Sequence, residues 1–200
     1  MFMEANLDNI KWQKYLRISE EDYSGSCEVD AGTQGLHLEL ISLLPEGQFA
    51  LDIGCGTGWS TQELSKKYIS VTGISIQQAE IDFALANHLT DKTNFLLMDM
   101  HEITFLDKHF DTVYMREALE HSISPFIALC EANRVLKIDG SFIVNVPPQD
   151  WVDWHCHYFV PTEKQLKSLL DKTNFEIVKE SATIYGHIYF LCKKVKDVEL

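Results

Sequence analysis

The chain has 200 residues, 46% of them hydrophobic, which suits one domain around one sizeable core. Its formal net charge is −13 and its pI is near 4.9. With Arg17, Arg116 and Arg134 as its only guanidinium groups, it lacks the electrostatic footprint of a nucleic-acid binder. No apolar run approaches the roughly 18 residues of a membrane span, and the start lacks a basic stretch followed by an apolar core, so a cytoplasmic protein free of the membrane is expected. The five cysteines (Cys27, Cys55, Cys130, Cys156, Cys192) are odd in number, with no Cys-x-x-Cys pair; they read as reduced and mostly buried.

In chain order, a helix is expected over 7–17, then an acidic loop or lid over 19–35 and a helix over 36–44 that ends before Pro45-Glu46-Gly47. Strands are expected over 49–53, 69–74, 94–98, 111–115 and 141–146, with helices over 59–68, 77–89 and 125–136 between them. Pro147-Pro148 stops the fifth strand, and a helix over 162–172 and strands over 175–179 and 184–192 complete the chain. Such alternation argues a parallel sheet covered by helices on both faces. The N-terminal 1–47 reads as a helical or lid segment, and 48–200 as a single domain.

The run Phe49-Ala50-Leu51-Asp52-Ile53-Gly54-Cys55-Gly56-Thr57-Gly58-Trp59 is the strongest local signal. Three glycines at alternate positions form a floor over which a ligand approaches the main chain, and the N–H groups of the following helix welcome a carboxylate. The spacing differs from the dinucleotide fingerprint, which separates its second and third glycines by two residues. It resembles motif I of class I S-adenosylmethionine-dependent methyltransferases, matching in Asp52, Gly54, Gly56 and Gly58. The resemblance spans about 48–194 and implies a three-layer α/β/α, Rossmann-like sheet of seven strands in the order 3-2-1-4-5-7-6, strand 7 antiparallel. It also implies S-adenosyl-L-methionine as cofactor, its amino-acid end held by Asp52, the glycine backbone and the intervening Cys55.

Ligands in open α/β sheets sit beyond the carboxyl ends of the strands. After strand two the family places an acid for the ribose, but this chain has Ser75, with Glu80 five residues on. That resembles a subset related to the cyclopropane-forming enzymes, in which the later polar residue compensates; alternatively Glu80 is a solvated first-turn acid favoured by the helix dipole. After strand three, Met98-Asp99-Met100 resembles the adenine segment, with Asp99 reading the amine and Met100 beside the ring, Met98 being expected in the core.

After strand four, Leu119-Glu120-His121 resembles the group that includes quinone-biosynthesis methyltransferases. On a helix, Glu117 and His121 would share a face and Glu120 would project elsewhere; Glu117 and His121 border the expected acceptor, with His121 a base or a structural hydrogen-bonding group. Arg116 would hold an anionic acceptor or pair with a nearby acid. After strand five come Trp151, Asp153, Trp154, His155 and His157. Extended, His155 and His157 would point the same way and reach a metal with Asp153; the expectation adopted is no metal, with one histidine lining the pocket and the other bonding to structure. The two tryptophans form an aromatic wall or a packed lid.

No Ser/His/Asp or Cys/His arrangement is apparent, and direct methyl displacement needs no protein nucleophile. The reading is therefore a methyltransferase acting on an oxygen or nitrogen of a small-molecule acceptor. A silent cofactor-binding partner subunit and a protein methyltransferase stay open as alternatives.

Overall fold

The computed structural model describes residues 31–153, 157–182 and 186–199. The expected helix over 7–17, most of the acidic segment, Trp154, His155 and Cys156 lie outside them.

Helix α1 (Ala31–Ser42) leads into β1 (Gly47–Ile53), and a glycine turn connects β1 to the short α2 (Trp59–Leu64). Then follow β2 (Tyr68–Ser75), α3 (Gln78–His88), β3 (Thr93–Leu97) and β4 (Phe110–Arg116). A 3₁₀ turn (Leu119–His121), α4 (Pro125–Val135), β5 (Leu136–Val146), a second 3₁₀ turn (Gln149–Trp151), α5 (Glu163–Lys172), β6 (Phe175–Ala182) and β7 (Ile188–Lys194) complete it. The sheet order is β3-β2-β1-β4-β5-β7-β6. β1 to β5 pair in parallel and β7 lies antiparallel to both β5 and β6. Order and orientation match the expectation.

Strand alternation sorts the side chains between two cores. Leu51 and Ile53 join Val113, Met115, Phe142 and Val144 beneath α4 and α5, whose Leu129, Val135, Leu166 and Leu170 are buried there. On the opposite face, Ala50, Val71 and Tyr114 meet Leu36, Leu40 and Ile41 of α1 and Leu64 of α2. Ile81 and Ala84 of α3 close on Phe95 and Cys55. Each fully buried large aliphatic side chain is worth about 1.5–3 kcal/mol, so the two cores hold the strand ends in place. α4 starts on Pro125 in its first turn, where a missing N–H is harmless, and α5 is closed by a capping box between Thr162 and Gln165.

Several boundaries differ from the sequence expectation. α1 begins at Ala31, inside the expected lid, because packing of Leu36 and Leu40 outweighs the cost of Gly35. The helix expected to reach residue 68 stops at Leu64. Tyr68 instead opens β2, its hydroxyl donating to Pro45 O or to Thr112 Oγ1, each at 2.8 Å. β6 runs on to Ala182, and β7 occupies Ile188–Lys194. The expected turn at Asp139-Gly140 survives as a positive φ at Asp139 within the longer β5. Among the described residues no helix is long and apolar enough to cross a membrane.

Candidate active site

The turn after β1 is wound by three left-handed glycines, Gly54, Gly56 and Gly58. They do not share one job. A Cβ on Gly54 would stand 2.5 Å from Ala118 Cβ, and one on Gly58 would stand 2.7 Å from Phe95. One on Gly56 would meet only Glu80 Oε1, at 3.8 Å. Gly54 and Gly58 thus serve packing, while Gly56 opens toward Glu80. Cys55 is buried in the small α3 core, and its N–H donates to Ile74 O at 3.0 Å.

Asp52 ends β1 almost fully buried. Its Oδ2 accepts from Ser60 Oγ at 2.6 Å and Thr61 Oγ1 at 2.7 Å, so the acid is anchored to the first turn of α2. Burial raises its pKa from 3.8 to about 6 despite these two hydrogen bonds. At the end of β2, Ser75 Oγ donates to Glu80 Oε2 and accepts from Gln77 N at 3.1 Å. Glu80 sits in the first turn of α3. The pair expected from their five-residue separation is in direct contact.

Beyond β3, Asp99 Oδ1 lies 2.6 Å from His101 Nδ1, and His101 Nε2 lies 2.7 Å from Ser122 Oγ. The acid-histidine-serine arrangement not apparent in the sequence therefore exists. Ser122 is only 1% exposed, which bars it from serving as a nucleophile, and the relay instead ties the β3 end to the segment after β4. Met100 lies in the main core and Met98 is the partly buried one, the reverse of the expected division.

After β4 the expected helix is replaced by a sharp turn. Glu117 has a φ of 46° and the 3₁₀ turn starts only at Leu119, so Glu117 and His121 do not share a helix face. Glu117 Oε1 lies 2.7 Å from His187 Nδ1 and 3.3 Å from Arg116 Nη2. Burial would raise its pKa, but His187, Arg116 and His121 outweigh burial and hold it below the ordinary value. Arg116 also reaches His37 Nε2 at 3.1 Å, and His37 Nδ1 meets the Tyr114 hydroxyl at 2.9 Å. Burial and the Arg116 charge depress the His37 pKa from 6.5 to about 3, keeping that imidazole neutral. His37 and His187 come from α1 and the approach to β7, too far apart in sequence for spacing to expose them.

Glu120, expected to project away, points inward and is 1% exposed. Burial pushes its pKa well above the usual carboxylate value. Its carbonyl accepts from Tyr158 N at 2.9 Å and Phe159 N at 3.2 Å, which straps the loop after β5 against the loop after β4. His157 is thereby brought beside His121, their rings 4.9 Å apart and nearly perpendicular. His157 Nδ1 hydrogen-bonds to Trp151 O at 2.7 Å, and the Trp151 ring meets His187 edge-on at 5.4 Å. His155 lies outside the described residues.

A family profile described as a methyltransferase domain matches residues 51–144, from β1 through most of β5. An O-methyltransferase of Pyrenophora dematioidea is 28% identical over 182 residues, covering 82% of this chain and 68% of the relative. A second O-methyltransferase, from Aspergillus nomiae, is 28% identical over 76% of this chain and 75% of its own. Among solved structures, the N-methyltransferase NodS of Bradyrhizobium japonicum, in complex with S-adenosyl-L-homocysteine, aligns with a TM-score of 0.76 at 14% identity, over 91% of this chain and 99% of that one. The strand order, the glycine turn, the profile match and these relatives together support the class I S-adenosylmethionine-dependent methyltransferase superfamily for this chain.

Proposed function

We propose that this methyltransferase acts on an oxygen of a small-molecule acceptor. The observation that carries the reading is the meeting of His121 and His157 beside Glu120, at the carboxyl ends of β4 and β5, where two half-buried imidazoles offer a proton acceptor. A hydroxyl needs one as it is alkylated. The names of the two relatives, both O-methyltransferases over more than two thirds of their length, support the same choice.

The cradle fits the cofactor. Gly56 leaves its side of the turn open toward Glu80, and Glu80 with Ser75 supplies acceptors suited to ribose hydroxyls. Asp52 would face the amino-acid end together with the Gly54, Cys55, Gly56 and Gly58 backbone. Asp99 would read the adenine, with Met100 behind it. When bound, S-adenosylmethionine supplies an electrophilic methyl group on a sulfonium. Transfer of that methyl group to an acceptor oxygen would release the hydroxyl proton, which His121 or His157 would take. Glu117, held by Arg116 and His187, keeps the surrounding field negative. A cytoplasmic setting accords with Cys55, Cys130 and Cys192, which are free and buried.

The test is incubation with methyl-labelled S-adenosylmethionine and a panel of phenols, sugars, carboxylic acids, amines and a basic protein, with products read by mass spectrometry. Label is expected on oxygen in at least one acceptor class. Label confined to amines or to protein, or cofactor binding without turnover on any acceptor, would overturn the reading.

A further inference from the structure

The carboxyl end of the sheet holds a second constellation besides the cofactor cradle. One ligand-type atom each from Glu120, His121 and His157 lie within 4.8 Å of one another. Three local facts set this trio apart from a chance cluster. Glu120 Oε2 is buried and has no hydrogen-bond partner among the described residues, a costly state for a carboxylate unless a cation or a proton compensates it. The second fact is the tautomer: with His157 Nδ1 donating to the Trp151 carbonyl, Nε2 carries the lone pair, as the outer partners of metal-ligating histidines arrange. The third is rigidity, since the two N–H bonds onto the Glu120 carbonyl hold the His157 loop to the Glu120 turn.

We infer that Glu120, His121 and His157 form a binding site for one first-row divalent cation of the zinc class. Two imidazoles and one carboxylate match the nitrogen and oxygen donors such ions take, and three protein ligands leave a coordination position for another oxygen. Metal–ligand bonds near 2.0–2.1 Å put tetrahedral ligand atoms roughly 3.4 Å apart, so the trio closes on an ion by side-chain movement of about an ångström. The site also stands in the right place. Ala118 packs directly on Gly54, so the turn carrying Glu120 and His121 departs from the glycine floor itself. On the oxygen-directed reading, from which this role for the ion follows, the open position takes the acceptor oxygen. There the cation would make the hydroxyl a stronger acid, and because both imidazoles would be engaged as ligands, its proton would leave to solvent in place of passing to His121 or His157 as in the metal-free chain. Binding of the ion itself requires no acceptor.

The experiment uses the full chain, treated with chelator and titrated with Zn²⁺ and Co²⁺ in the absence of cofactor and acceptor. One ion per chain is expected, with the intense visible absorption of four-coordinate Co²⁺. Affinity should fall at least tenfold in His121→Ala, in His157→Ala and in Glu120→Gln. Because Glu120 is buried, the two histidine variants decide the outcome if Glu120→Gln loses its fold by circular dichroism. A wild-type chain that takes up no ion, or folded histidine variants that bind as the wild type does, would overturn the site. O-methyl product from a chain without metal uptake would overturn it while leaving the oxygen-directed reading intact. Metal uptake with label found only on nitrogen would leave the site standing and remove that reading.

Discussion

Asp52 is the residue where physical chemistry makes the sharpest statement. Its carboxyl titrates near 6 in the folded chain, against 3.8 in its ordinary state, so between those values the native state holds more protons than the unfolded one. Stability therefore decreases as pH rises through that window, by about 3 kcal/mol from this group. Asn at this position keeps an acceptor for Ser60 and Thr61 but cannot ionise. Denaturant melts from pH 4 to 7 should show the wild type losing stability relative to Asp52→Asn across the window; parallel curves would refute the assignment. The same titration should weaken cofactor binding at pH 5 relative to pH 7, since an ammonium prefers the ionised acid. Glu80→Ala should lower S-adenosylhomocysteine affinity tenfold or more, in keeping with the roughly 1.5–3 kcal/mol of a hydrogen bond to a charged group, and calorimetry showing unchanged affinity would rule out the ribose role. The nearness of Glu80 to Ser75 was legible because five residues carry the chain from the β2 end into the first turn of α3. The partners of Glu117 were not, because a φ of 46° breaks the helical spacing on which the sequence argument relied.

At the scale of the element, the turn between β1 and α2 shows how one motif divides its labour. All three glycines adopt a left-handed backbone, which costs other residues about 1–2 kcal/mol, but Gly54 must also leave room for Ala118. Gly54→Ala should therefore destabilise the fold by about 1–3 kcal/mol more than Gly56→Ala, the cost of overpacking, and so lower the melting temperature further. Scanning calorimetry of the two variants checks this, and the reverse order would mean that Gly56 is the packing residue. The elements themselves were largely readable, because the apolar runs of β1, β2, β4 and β5 and the Thr162 cap are local signals. Boundaries slipped where a distant contact decided them. Tyr68 became a strand residue through its hydroxyl bond across the sheet to Thr112, and α1 absorbed Gly35 because its apolar side chains are buried on the sheet.

For the whole molecule, closure of the antiparallel edge rests on a buried cation. Lys194 at the end of β7 is fully buried and donates to Asn133 O at 2.7 Å and Leu136 O at 2.8 Å, the carbonyls where α4 gives way to β5. Its ammonium also pairs with Asp197 at 2.8 Å. Lys194→Met would leave those carbonyls without this donor and should destabilise the fold by about 2–4 kcal/mol in urea unfolding; a neutral result would show that another donor replaces it. The sequence by itself determined the fold class, the strand order by resemblance, and the glycine turn and the Ser75–Glu80 proximity at the strand ends, because a glycine turn and the residues just past a strand end are set by a few consecutive positions. Tertiary structure decided which side chains meet beyond the ends of β4 and β5. Glu120 and His121 meet His157, Arg116 meets His37, Glu117 meets His187 and Asp99 reaches Ser122 through His101 because strand order places the loops after β3, β4 and β5, the start of β7 and helix α1 around one end of the sheet. Sequence separation carries no information about neighbours that meet only there.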